Sequence, residues 1–307
     1  MYSRDEDICA ALCLLTHIAW DLALPPVMTR RMVYRLREEG ALTGCAVRDV
    51  SSVDSSMIER ARALLSRADD VACAIEAYRR QGYVILTQQD ECWPKRLNRL
   101  PTGQRPHVLF AKGNLSLLSG RKVAVAGSRD ILPHTASMAR RAGQALAAEG
   151  LLMVSGGARG VDTAAHSGTL ELGGNLILVP AKPVQQLTAC PEIEKALQDD
   201  RLLILCDAPP DERFSAPKAI ARNHTIYALG EAALVIASRD GVGGSWHGAT
   251  DCLRSGYTPL YVAEGSNDDM LGNAALHRLG AGQIDLLKPL RSQLFASQQL
   301  SCLEQFS

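Results

Sequence analysis

Four short stretches carry residue types suited to holding an anion. Gly127-Ser128-Arg129 joins a residue that permits a tight turn to a hydroxyl and a guanidinium fork. In Ser155-Gly156-Gly157-Ala158-Arg159-Gly160-Val161-Asp162, the amides of Gly156 and Gly157 can face a ligand and Arg159 adds charge. There Gly160 permits close backbone approach and Asp162 can cap a following helix. Arg222 and Asn223 read as lying near the start of a helix whose apolar face includes Ile226 and Leu229, where Arg222 would make a third anion contact. Gly241, Gly243 and Gly244 form a flexible turn before Ser245, a candidate cap. Each stretch also has a plainer reading, as an ordinary loop with a surface arginine.

Standard nucleotide loops do not fit. Gly156, Gly157 and Gly160 lack the GxGxxG spacing, and no GK[ST] follows them. This disfavours NAD and ordinary ATP hydrolysis, and no cofactor is expected. His166 and His247 form no catalytic pair, and no nucleophile elbow or HExxH occurs, so no catalytic residue is assigned. His166, one helical turn beyond Asp162, reads as a satisfied helix histidine; Trp246 and His247 could stack on a base or on each other, although a Trp at a helix start is more often partly buried packing. The nine cysteines show no CxxC spacing, so neither a disulfide framework nor a metal site is indicated.

The elements that must position these loops are legible as periodicity. Residues 1–80 carry only helical signals and read as a small all-helical module. Residues 81–114 are Pro/Gly-punctuated and read as a connecting segment containing the β run YVILT. Over 115–288, apolar runs such as KVAVAG, LLMVSG, NLILVPA, RLLILC, AALVIAS and PLYVAE alternate with amphipathic helical segments. That alternation predicts an α/β domain, a Rossmann-like, doubly wound, mainly parallel sheet covered on both faces. In such sheets ligands bind at the carboxyl ends of the strands, where the four stretches fall. Residues 289–307 read as a short tail.

Composition narrows the field. The 307 residues carry 33 basic and 33 acidic side chains. Balanced charge argues against bulk electrostatic coating of nucleic acid but leaves room for a local basic groove. The N-terminus is acidic where a signal peptide is basic, and no run reaches membrane-spanning length. A cytoplasmic protein without a membrane partner is expected.

Taken together, GSR (127–129), SGGARGVDTAAH (155–166), ARNHTIYALGEAALVIAS (221–238) and GGSWHGATDCLRSGYTPLYVAEG (243–265) resemble the DprA/Smf family of bacterial DNA-processing proteins. The resemblance runs from about residue 83 to 282. It implies a Rossmann-like domain that binds single-stranded DNA behind a SAM-like helical module, homodimerisation, and delivery of DNA to a RecA-type recombinase. It further implies phosphate contacts from Arg129, Arg159 and Arg222 with the Gly156 and Gly157 amides. Gly127, Ser128, Ser155, Gly160, Asn223, Gly244 and Ser245 complete the candidate site. The sequence departs from the family at His224, which stands at the third basic position of an RNR motif, and at GGSWHGAT, which replaces SGSLITA. These departures fit a diverged paralogue. Two alternatives stay open: an antitoxin-like partner of a toxin enzyme in a phage-defence module, and a phosphoribohydrolase-like enzyme using Asp251.

Overall fold

The computed structural model describes residues 3–265 and 267–295, and the end of the expected tail, with Cys302, lies outside them. The chain divides into two compact units, one of Met1–Lys112 with Cys206–Glu212, the other of Gly113–Leu205 with Arg213–Ser307.

Four helices dominate the first unit: α1 (Arg4–Leu15), α2 (Arg30–Glu38), α3 (Ser55–Leu65) and α4 (Ala68–Arg80). Their starts are set by side chains. Ser3 and Glu6 form a capping box on α1, Thr29 caps α2 and Asp54 caps α3. Ile8, Leu12, Val33, Leu36, Ile58, Leu64 and Ile75 bury the facing stripes. Each is worth roughly 1.5–3 kcal/mol. Arg67, itself buried, donates to the carbonyls of Cys13, Thr16 and Ile18 and so satisfies the C-terminal end of α1.

Not everything here is helical. Between α2 and α3 the chain makes a hairpin of β1 (Leu42–Thr43) and β2 (Ala46–Val47), each too short to show a period of two. Next come β3 (Val84–Thr87) and β4 (Val108–Gly113), an antiparallel pair in which Ile85 faces Phe110 and Leu86 faces Leu109. The segment read as a connector therefore contributes a second strand, β4.

The second unit is the expected doubly wound sheet. Its strands are β5 (Lys122–Ala126), β6 (Leu152–Ser155), β7 (Leu176–Leu178), β8 (Leu202–Cys206), β9 (Ala232–Val235), β10 (Leu260–Ala263) and β11 (Gly282–Ile284). They lie in the order β11-β10-β9-β5-β6-β7-β8, with neighbours paired in parallel. Its helices are α5 (Pro133–Ala148), α6 (Val161–Glu171), α7 (Val184–Thr188), α8 (Pro191–Gln198), α9 (Ala216–Leu229), α10 (Gly243–Ser255), α11 (Leu271–Arg278) and α12 (Leu290–Leu294). Every residue of β6, β7, β8 and β9 is buried, as continuous apolar runs require when both faces are covered.

The order matters for function. From β5 the chain moves outward through β6 and β7 to β8, then returns to place β9 on the other side of β5. The loops leaving β5 and β9 therefore diverge, and a crevice opens between them. No helix among the described residues is long and apolar enough to cross a membrane.

Candidate nucleic-acid interface

A cleft of about 300 Å³ lies at that switch point. One wall is the loop after β5, with Gly127, Ser128, Arg129 and Asp130. The opposite wall is the loop after β9, with Arg239 and Gly243 to Ser245, and the first half of α9 closes the side.

Two close approaches shape the first wall. Gly160 sits at φ +85°, and a Cβ there would lie 2.7 Å from the carbonyl carbon of Arg129. A Cβ on Gly127 would lie 2.6 Å from that of Val161. These glycines let the turn before α6 press against the Gly127-Ser128-Arg129 loop. Val161 N then donates to Ser128 O at 3.1 Å, and Ser128 N to Ala237 O at 2.9 Å. The two walls are joined directly by Ser245 Oγ, which donates to Gly127 O at 2.6 Å. Asn223 Nδ2 donates to Gly244 O at 3.1 Å and ties α9 to the same wall. Ser245 therefore bridges the loops and does not cap α10, whose N-cap, Val242, makes no side-chain cap bond.

The exposed arginines are Arg129, Arg159 and Arg239, with the carboxylate of Asp130 exposed beside them. The Arg129 guanidinium lies 5.5 Å from the centroid of the Phe214 ring, which is 49% exposed. Arg159 pairs with Asp130 at 2.7 Å, but with its side chain 74% exposed the pair is a weak, water-screened one. Neither Arg129 nor Arg239 has an ion-pair partner among the described residues.

Several sequence expectations change. Arg222 is not near the start of its helix but halfway along α9, and it is buried. Its Nη1 donates to Gly156 O at 2.8 Å and also to Val179 O. It braces the glycine turn from behind and offers no solvent-facing fork. The Gly156 amide is likewise engaged, because Asp162 folds back to accept from Gly156 N and Ala158 N, each at 3.2 Å. Asp162 thus folds back onto the turn and is not a helix cap; the N-cap of α6 is Gly160. Burial raises the Asp162 carboxyl, against the pull of Arg222. Ser155 is fully buried below this turn, while Gly157, at φ +65°, is half-buried at its edge.

The histidines also differ from expectation. His224 is buried, with Nδ1 3.4 Å from Tyr257 Oη and Nε2 4.0 Å from the Asp251 carboxylate. It belongs to the packing between α9 and α10 and adds no charge to the cleft. Asp251 pairs with Arg254 at 3.1 Å and is not part of the cleft lining, which removes the geometry a phosphoribohydrolase reading needs. His166 is buried, and burial pushes it down to about 3. Its Nε2 finds no hydrogen-bond partner among the described residues, so it is not the satisfied histidine the helix spacing implied. Among the described residues no group of three or more His, Cys, Asp or Glu is placed to hold a metal.

Among the cleft residues that escaped the sequence reading are Arg239 and Phe214. Arg239 directly follows the β9 run, and its place after a central strand was the available signal. Phe214 precedes the N-cap Ser215 of α9, and nothing in its spacing marks it.

The fold and cleft define a Rossmann-like α/β protein with an arginine-lined crevice at its switch point. Residues 84–294, about two thirds of the chain, match the family described as DNA recombination-mediator protein A, and the chain belongs to that family. The DNA processing protein DprA of Streptococcus pneumoniae is 35% identical over 177 residues, 56% of this chain. The chain spans 59% of that relative's length. The X-ray structure of the Streptococcus pneumoniae protein superposes with a TM-score of 0.69 at 25% identity, covering 92% of this chain and 95% of that one. DprA of Helicobacter pylori, whose structure is described as revealing a unique single-stranded DNA binding mode, shares the fold. Its TM-score is 0.56 at 24% identity, with 72% of this chain and 96% of that one covered.

Proposed function

We propose that this chain binds single-stranded DNA through the switch-point cleft, in DNA processing and recombination. The observation that carries the reading is the exposed Phe214 ring under the Arg129 guanidinium, in a cleft that also holds Arg239. An exposed aromatic face beside fixed cations suits an unpaired base followed by its phosphates, because every base has a π-face and every linkage a charge. Arg129, Arg159 and Arg239 supply the phosphate contacts. The backbone of Gly127, Ser128, Gly160, Gly244 and Ser245 sets the walls, and Arg222, Asp162, Ser155 and the glycines at 156 and 157 hold the floor. The role is read as binding without catalysis: of the two carboxylates that line the cleft, Asp130 is paired with Arg159 and Asp162 is held by the amides of Gly156 and Ala158. Family membership supports delivery of the strand to a RecA-type recombinase, a working homodimer and a cytoplasmic location.

The test is titration of a labelled oligonucleotide across a salt series. About three phosphate contacts give a slope near −2 in log affinity against log salt. No binding at low salt, or full binding by Arg129→Ala, would overturn the reading.

A further inference from the structure

The chain holds three tryptophans, and two have evident partners. The Trp93 indole is buried and donates to Asn98 Oδ1 at 3.3 Å. Trp20 packs edge-on against His17 with centroids 4.9 Å apart, and Arg67 lies 5.4 Å from its ring centroid. Trp246 is different. It is half-buried, and among the described residues its ring has no aromatic or cationic neighbour and its N–H no acceptor. A partly wet indole with an unused donor is a surface feature that packing alone does not require.

Its position is fixed from both sides. Ser245, the preceding residue, is bonded to Gly127 O, and Gly244 O accepts from Asn223. On α10 the side chains that face inward are Ala249 and Cys252, while Gly248 lies against Tyr227 and Asn223 of α9. Trp246 follows the cleft-lining residues Gly243 to Ser245 without a break, on a helix whose first turn cannot shift without breaking the bond that joins the two walls. An aromatic carried on a fixed backbone next to the cleft lining loses only its side-chain freedom when a planar partner stacks on it.

We propose that Trp246 is a second stacking platform, taking a nucleobase of the single strand next to the nucleotide held in the cleft. This rests on the reading of the cleft as a DNA site. It extends the contact from one base to two and places the added one on the β9 side of the crevice.

Intrinsic fluorescence and oligonucleotide affinity test it together, with an oligothymidylate as the probe. Saturable quenching of wild-type emission is expected, and its loss in Trp246→Phe, with Trp20 and Trp93 still reporting a folded chain. Trp246→Ala should weaken binding by at least about fivefold, and Trp246→Phe by less, because a smaller ring still stacks. An oligonucleotide with abasic sites should lose the difference between wild type and Trp246→Ala. Unquenched emission with unchanged affinity in Trp246→Ala overturns the platform and leaves the DNA site standing. Absence of any binding by wild type overturns both.

Discussion

The Asp162 carboxyl group accepts from the amides of Gly156 and Ala158, each at 3.2 Å, so the glycine turn after β6 is closed by a side chain of the protein's own. Asp162→Ala should orphan two amides at a site where Asp162 is only 7% exposed. The expected loss is about 1–3 kcal/mol of stability, read by urea unfolding. The pH dependence has a defined sign. Burial raises this carboxyl in the folded state, so its contribution is largest below the unfolded value and is lost as pH rises through the folded one. Asp162→Asn should abolish that slope.

Arg129 and Arg222 should separate cleanly. Arg129→Ala removes an exposed guanidinium, so oligonucleotide affinity should fall while the melting temperature stays within about a degree. Arg222→Ala removes donors to Gly156 O and Val179 O from a residue only 5% exposed. A loss of roughly 2–4 kcal/mol is expected. Equal melting temperatures for the two variants would contradict this division of roles.

Gly160→Ala should mimic the loss of Arg129 without touching an arginine. The new Cβ would meet the Arg129 carbonyl at a backbone angle of +85° that disfavours alanine. The cost is about 1–3 kcal/mol, relieved by pushing the Ser128–Arg129 loop outward. Weakened DNA binding in a folded variant, judged by circular dichroism, is the expected result.

Acid should destabilise the protein through two histidines. Burial holds both His107 and His166 down to about 3. The unfolded chain takes up protons near pH 6.5 and the folded one does not. Stability is therefore full above that value and falls as pH drops toward 3, by about 1.4 kcal/mol per pH unit for each histidine. Unfolding of wild type and His166→Phe between pH 7 and 5 should show a shallower slope in the variant.

Much of this arrangement is readable from spacing, and the errors have physical causes. Continuous apolar runs identify β5 to β10 because a parallel sheet buried on both faces needs them. The edge strand β11, Gly282–Ile284, buries only Ile284 and so offers no apolar run. Arg222 shows where more could have been read. Ala219, Arg222, Ile226 and Leu229 fall at helical spacing on the buried side of α9, so the arginine occupies a core position. Its charge suits solvent, while its place in the stripe points inward. Asp162 misleads differently, since a capping carboxylate and one that folds back onto a glycine turn have the same sequence. Phe214 becomes a site residue only once the return from β8 carries it beside the loop after β5.

The hydroxyl of Ser245 on the carbonyl of Gly127 fixes the aperture of the crevice. With that span set by a bond formed during folding, the walls need not close around a strand. Association should therefore carry a small heat-capacity change, and a strand should enter and leave as if from a rigid slot.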